Sequence, residues 1–170
     1  PVNFAVDYND PWFVGSSSST TVKWQTDATP SAPGRLTGAA SLNFNNGTNF
    51  DDAGKQVKGA AYGKFLVDAS KVTGAYLTMS FFSYGDVEAL TGVDSRTVEF
   101  STDGFLTTAL SIKLDNSKNQ KIWYMETLNL SALIGKVFQV RFVFDSVDGI
   151  NNGGAGWFVD DVNFYAGPVV

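Results

Sequence analysis

Residues 156–165 read GWFVDDVNFY, a stretch typical of a buried β-strand except for its two adjacent carboxylates. Because side chains alternate between the two faces of a strand, Asp160 falls on the same face as Phe158 and Phe164, and Asp161 falls on the other. The face that carries Phe158 and Phe164 is the more apolar of the two. We therefore expect it to face the core, with Asp160 buried among aromatic rings.

A buried carboxylate is costly unless it is compensated, and the sequence leaves three ways open. A cation such as Arg141 could pair with Asp160, backbone N–H groups could donate to it, or a metal ion could bind it. A hard cation suits the composition, because the chain is rich in Asp and Asn and has no His or Cys, and calcium prefers oxygen ligands. Further oxygens could come from residues 7–10 or 43–46, although neither segment is an EF-hand loop and such clusters are often plain turns. Asp161 is expected to be solvated or paired with Arg141 or Arg96.

The rest of the chain shows the alternation of a β-protein, with short apolar segments separated by Gly, Asn, Asp, Ser and Pro. Asp103-Gly104 predicts a tight hairpin, and residues 131–134 could make a single helical turn. The pattern predicts an all-β fold, a two-sheet antiparallel β-sandwich of jelly-roll type, with a single domain over residues 1–170. The predicted strands cover residues 3–7, 21–25, 40–45, 62–67, 74–84, 97–101, 106–114, 121–128, 137–145 and 157–165.

Composition limits the function of the domain. With 170 residues, 44% of them hydrophobic, the chain can form one substantial core. Its formal net charge is −5 and its Lys and Arg residues are scattered, so we expect no nucleic-acid partner. The absence of His and Cys removes the common general base, the common zinc ligands and the serine–histidine pair. No apolar run is long enough to span a bilayer, so membrane insertion is not expected.

Residues 156–162, GWFVDDV, resemble the final strand of bacterial extracellular jelly-roll domains, which include MAM-like domains and several carbohydrate-binding modules. Residues 93–104, 128–135 and 140–146 are similar to further segments of such domains, in the same order along the chain. The resemblance implies a secreted or cell-surface protein, with neighbouring domains in a larger chain.

The resemblance also implies a cofactor. In related jelly rolls the first Asp of the pair commonly binds a structural calcium ion, with co-ligands from the N-terminal strand and the second-strand region. Carried over by position, this makes Asp160 a ligand, with Asp7 and Asn43 as co-ligands. The chain departs from the pattern at Ala5, which follows Phe4 where many relatives have an acidic residue.

Exposed aromatic rings are the side chains on which sugar rings stack, although most tryptophans of a β-sandwich belong to its core. The candidates for a ligand-binding site are Trp123, Tyr124, Tyr84 and Trp12. An enzyme is not expected. Glycoside hydrolysis needs two acids across a cleft, and the sequence marks no such pair among the chain's three glutamates, Glu88, Glu99 and Glu126.

We therefore expect a non-catalytic recognition or adhesion module that binds a glycan or another cell-surface ligand and is stabilised by calcium. The alternative is a structural or protein–protein interaction domain, such as a spacer or assembly domain of a surface protein or secreted peptidase. A sugar binder is expected to expose two or more aromatic rings in a groove or along an edge, whereas an interaction domain is expected to expose a broad apolar patch.

Overall fold

The computed structural model describes residues 2–5, 12–27, 33–73, 75–89, 93–118 and 120–168. These residues form twelve β-strands and one short 3-10 helix at Ser131–Leu133. The strands are β1 Val2–Ala5, β2 Trp12–Ser17, β3 Lys23–Asp27, β4 Ser41–Asn45, β5 Lys58–Gly63, β6 Val67–Asp68, β7 Ala75–Asp86, β8 Ser95–Ser101, β9 Leu110–Lys113, β10 Tyr124–Asn129, β11 Val137–Asp145 and β12 Gly156–Pro168.

The strands form two sheets, and within each sheet all neighbouring strands pair antiparallel. Sheet A has the order β10-β7-β12-β4-β3, and β1 also pairs with β12. Sheet B has the order β2-β5-β11-β8-β9, and β6 also pairs with β11. The predicted all-β fold, a two-sheet antiparallel sandwich of jelly-roll type, is confirmed.

The core lies between the two sheets and is dominated by aromatic rings. In β11, Phe142 and Phe144 are fully buried, as the alternation of this strand predicts. Phe144 stacks on Phe44 of β4 with ring centroids 4.9 Å apart, and Phe142 meets Trp157 of β12 edge to face at 5.5 Å. Burying a large apolar side chain contributes about 1.5–3 kcal/mol, so such rings are the main stabilising contacts between the sheets.

Several element boundaries differ from the sequence-based expectation. Strand β2 was not expected, because Gly15 and the serine run that follows it are typical of a loop. The predicted strand 106–114 begins only at Leu110, since residues 102–109 form a longer connection between β8 and β9 than a tight hairpin. The antiparallel pairing of β8 with β9 and the single helical turn are confirmed.

The strand that contains the acidic pair has a β-bulge, which the alternation argument did not anticipate. The register of β12 on β7 shifts between Asp160 and Asn163, and Asp161 has a positive φ of 50°. Trp157 contacts Phe142 of sheet B, so its side chain points into the core. Asp160 comes three residues later and still before the bulge, so its side chain points the other way, to the outer face of sheet A. The prediction that Asp160 points into the core is therefore wrong, although the prediction that it is buried is right, with 3% of Asp160 exposed.

Candidate functional site

The carboxylate of Asp160 is compensated by backbone N–H groups. Its Oδ2 accepts the N–H of Leu36 at 2.9 Å and that of Thr37 at 3.1 Å, and its Oδ1 accepts the N–H of Asp161 at 2.9 Å. Burial raises the pKa of Asp160, and these three donors partly oppose that shift. Of the three compensations that the sequence leaves open, the described residues show the backbone donors, and Asp160 thereby anchors residues 33–40 to the outer face of sheet A.

Asn43, which was predicted to share a metal ion with Asp160, is hydrogen-bonded to its neighbours. Asn43 Oδ1 accepts a hydrogen bond from Gln25 Nε2 at 3.0 Å, and Asn43 Nδ2 donates to Ser41 O at 3.3 Å. Asp161 Oδ1 accepts the hydroxyl of Thr37 at 2.6 Å. Asp7 lies outside the described residues. Within the described ranges, no cluster of three or more His, Cys, Asp or Glu side chains could hold a metal ion, and calcium at Asp160, Asp7 and Asn43 stays a prediction.

Two of the predicted ligand-binding aromatics lie together on sheet A. The rings of Tyr84 and Trp123 are 5.8 Å apart and tilted by 54°, and both side chains are half-buried. Tyr84 also meets Phe158 edge to face at 5.8 Å. Tyr124 is exposed at the start of β10 and pairs with Ser83, so its side chain lies on the opposite face of sheet A from Tyr84.

The fourth predicted aromatic, Trp12, belongs to the core. Its ring lies 5.6 Å from that of Phe65 and 5.0 Å from that of Phe142, and only 6% of the residue is exposed. Its buried position gives no support to the prediction of Trp12 as a ligand-binding residue, which stays untested.

A groove that sequence reasoning did not identify lies on the outer face of sheet B. It is built around one row of side chains on three neighbouring strands, in which Arg141 of β11 lies between Tyr62 of β5 and Glu99 of β8. Arg141 Nε donates to Glu99 Oε2 at 2.7 Å, and its Nη1 donates to the Tyr62 hydroxyl at 3.1 Å. Because the side chains of one row point the same way, the three groups form a continuous polar and aromatic surface.

The connection between β8 and β9 adds a second ring to this row. Phe105 meets Tyr62 edge to face at 5.3 Å, and the Arg141 guanidinium lies 4.3 Å from the centre of the Phe105 ring. The connection is held by Asp103, whose carboxylate accepts hydrogen bonds from the hydroxyl groups of Ser101 and Thr107. These bonds lower the pKa of Asp103 to about 2, and the bond from Ser101 has the largest effect.

The groove consists of two adjoining cavities of about 450 and 400 Å³ that share Tyr62. Two of the three cations that line it are in ion pairs: Arg141 binds Glu99, and Lys58 Nζ lies 3.0 Å from Asp145 Oδ2. Glu99 is the only carboxylate among the described lining residues, so the groove lacks the two acids that glycoside hydrolysis needs. The lining residues are Ser17, Ser18, Lys58, Gly59, Ala60, Tyr62, Gly63, Lys64, Glu99, Gln139, Arg141 and Val143.

Part of this groove was visible in the sequence. Alternation in residues 137–145 places Gln139 and Arg141 on the polar face, and Glu99 is likewise expected to face outward. Nothing local connects them to Tyr62, which lies 79 residues before Arg141 in the chain. Among the described residues, no helix is long and apolar enough to cross a membrane.

Comparison with solved structures places the domain among jelly-roll β-sandwiches. The CBM27-1 module of Caldicellulosiruptor saccharolyticus, solved with mannohexaose, matches with a TM-score of 0.54 and 10% identity over 96% of both chains. The family 11 carbohydrate-binding module of Clostridium thermocellum, solved with a β-1,3-1,4-mixed-linked tetrasaccharide, has a TM-score of 0.51 and 12% identity over 98% of this chain and 96% of its own. At these identities the similarity shows the fold alone.

A glycoside hydrolase is also similar in structure, but only in part. The glycoside hydrolase domain of Endo-D from Streptococcus pneumoniae R6 matches 90% of this chain with a TM-score of 0.58 and 18% identity. This chain spans only 21% of that protein's length, whereas it spans nearly all of the two binding modules. No sequence-family model matches the chain, and no curated protein does. The resemblance of GWFVDDV to MAM-like domains stays a prediction.

Proposed function

We propose that the domain is a non-catalytic carbohydrate-binding module whose ligand lies in the groove on sheet B. The observation that carries this proposal is the row of Tyr62, Arg141 and Glu99, which presents an aromatic ring beside a hydrogen-bonded donor and acceptor. A sugar ring needs both kinds of contact, because its C–H faces stack on aromatic rings while its hydroxyl groups form hydrogen bonds. The sandwich fold shared with two sugar-bound modules supports the proposal.

The charges of the groove favour a neutral polysaccharide. Arg141 is matched by Glu99 and Lys58 by Asp145, so a charged sugar would have to break an ion pair to gain either cation as a partner. A neutral sugar can instead use the N–H groups that Arg141 has left and the Oε1 atom of Glu99. In this role the protein acts as a secreted or cell-surface recognition or adhesion module.

Affinity electrophoresis and isothermal titration calorimetry against soluble mannan, mixed-linkage β-glucan and xylan test the proposal. We expect at least one of them to bind, and Arg141→Ala and Tyr62→Ala to weaken that binding roughly 10- to 100-fold, since a hydrogen bond to a charged group contributes about 1.5–3 kcal/mol. The matched control is Trp123→Ala, which removes a ring from sheet A and is expected to leave the affinity unchanged. Loss of binding in Trp123→Ala but not in Tyr62→Ala would place the site on sheet A, and failure of a broad glycan array would count against any sugar ligand.

A protein-binding role is the second candidate, and edge strand β10 favours it. Tyr124 and Met125 on this strand and Ile122 just before it are all exposed, and among the described strands β10 pairs only with β7. An exposed edge with apolar side chains can accept a strand or surface of another protein. Concentration-dependent self-association that Met125→Lys abolishes, without any glycan binding, would favour this role.

A further inference from the structure

Three buried oxygen atoms at one end of the sandwich have no hydrogen-bond partner among the described residues. They are Glu88 Oε2, Asp94 Oδ1 and Asn152 Oδ1. Asp94 is 1% exposed and Asn152 is 3% exposed, so water cannot readily satisfy either side chain. An unpaired buried polar atom costs about 1–3 kcal/mol, and more when it is charged, so three of them in one region call for a ligand.

Hydrogen bonds hold Glu88 and Asp94 against each other. The backbone N–H of Glu88 donates to Asp94 Oδ2 at 2.6 Å, which leaves Oδ1 as the open oxygen. Asn116 Nδ2 bridges their two backbones, donating to Asp94 O at 2.8 Å and to Glu88 O at 3.3 Å. Glu88 and Asp94 therefore lie together between the end of β7 and the start of β8.

The connection between β11 and β12 brings Asn152 to the same region. Its neighbour Asn151 donates from Nδ2 to Glu88 Oε1 at 2.8 Å, which leaves Glu88 Oε2 open. The amide of Asn152 has a defined orientation, because its Nδ2 donates to Asp148 O at 3.2 Å and to Lys55 O at 3.4 Å. These two partners are carbonyl oxygens, and the third, Ser146 Oγ at 3.5 Å, gives its own hydrogen to Asp148 O, so the remaining atom of Asn152, Oδ1, is an acceptor.

The described residues supply no cation to these carboxylates. Arg96 lies two positions after Asp94, but its guanidinium donates to Asn116 Oδ1, Ser83 Oγ and Asp115 O. Burial, assisted by the charge of Glu88, raises the pKa of Asp94 to about 7. Without a ligand, this carboxyl group thus retains its proton far above the usual pH range of an aspartate.

We propose that Glu88 Oε2, Asp94 Oδ1 and Asn152 Oδ1 bind a calcium ion that joins the β7–β8 and β11–β12 connections. Calcium accepts carboxylate and amide oxygens together in flexible geometry, whereas magnesium needs a near-ideal octahedron and zinc prefers nitrogen or sulfur ligands. Two of these ligands are carboxylates and the third is an amide oxygen. It is separate from the predicted site at Asp160.

Metal titration of the stripped wild-type protein tests this assignment. With calcium about 1,000-fold above its dissociation constant, we expect Tm to rise by about 10 °C, with stoichiometric binding in calorimetry. Asp94→Asn and Asn152→Ala are each expected to abolish most of the rise. Asp94→Asn replaces a buried carboxyl group that is costly to ionise with a neutral amide of the same shape, so its metal-free form is expected to fold and to melt no lower than the metal-free wild type.

The matched control is Asp160→Asn, which changes a buried aspartate on sheet A whose oxygens are already hydrogen-bonded. It is expected to keep the full calcium response even though its own Tm is lower. Loss of the response in Asp160→Asn with retention in Asp94→Asn would overturn the assignment in favour of the other site. No calcium response in the wild type, or an equal response to magnesium, would overturn it as well.

Discussion

Arg141 and Glu99 face each other on neighbouring strands β11 and β8, with Arg141 Nε 2.7 Å from Glu99 Oε2. The same guanidinium lies 4.3 Å from the centre of the Phe105 ring and donates to the Tyr62 hydroxyl. The Arg141 side chain therefore contacts its two neighbouring strands in sheet B, β8 and β5, and also the connection between β8 and β9. Both the shape and the charge of the groove therefore depend on Arg141.

A double-mutant cycle with Arg141→Met and Glu99→Gln measures this coupling. The two side chains are 22% and 19% exposed, so solvent screens them only partly. We expect a coupling free energy of about 1 kcal/mol in urea unfolding, at the upper end for a surface pair. The matched control is the pair Lys118 and Asp115, which is 73% and 52% exposed and should show almost none. Equal coupling free energies in the two pairs would show that the partly buried position in the groove does not strengthen the Arg141–Glu99 ion pair.

The position of the Tyr62 ring depends on Gly15. A Cβ atom at residue 15 would lie 2.5 Å from Tyr62 Cε2 and 2.9 Å from Ala60 O, so Gly15→Ala must displace the ring. Overpacking of this kind costs about 1–3 kcal/mol of unfolding free energy, and we expect roughly tenfold weaker glycan binding. Gly153→Ala is the control, because a Cβ there meets nothing within 4 Å. Unchanged affinity in Gly15→Ala would remove Tyr62 from the binding surface.

The sequence predicts the sandwich well, because alternation needs only near neighbours. It places Phe142 and Phe144 inward and Arg141 outward, as the structure shows. The prediction of which face Asp160 occupies fails for two reasons. A bulge inserts one residue into β12, and both faces of this strand are apolar enough to resemble a core-facing surface. The sequence also cannot connect Tyr62 with Glu99, because they meet only through the register of β5, β11 and β8, which depends on long-range pairing.

Asp160 is expected to stabilise the protein by anchoring residues 33–40. Asp160→Asn replaces one acceptor oxygen with a donor and leaves at least one backbone N–H unpaired, so the unfolding free energy should fall by about 1–3 kcal/mol. Hydrogen exchange at the amides of Leu36 and Thr37 should become faster. Thr37→Val, which removes only the hydroxyl bond to Asp161, should leave both amides protected. Unchanged exchange in Asp160→Asn would contradict the anchoring role.

Val147 is strained in a way that a substitution can relieve. It has a φ of 60°, a conformation that is costly for a β-branched residue, and its side chain is exposed. Asn tolerates this region, so we expect Val147→Asn to raise the unfolding free energy of the metal-free protein by about 1 kcal/mol and Tm by about 2–4 °C. Val137→Asn is the control, because Val137 is equally exposed but lies in β11, and it should lower stability slightly. A fall in both variants would show that the backbone strain is not limiting.

The titration of Asp94 determines how the stability of the metal-free protein depends on pH. Its pKa rises from 3.8 to about 7 because of burial and the charges of Glu88, Asp148 and Asp145. A carboxyl group with a raised native pKa contributes stability fully below pH 4, and this contribution is lost as the pH rises through about 7. We therefore expect the unfolding free energy of the metal-free wild type to fall between about pH 4 and pH 7, by at most about 1.4 kcal/mol per pH unit, and Tm to fall with it. The calcium-induced rise should grow over the same interval, because the ion competes with the proton. Asp94→Asn should flatten both trends, and a pH profile identical to that of the wild type would exclude Asp94 as the titrating group.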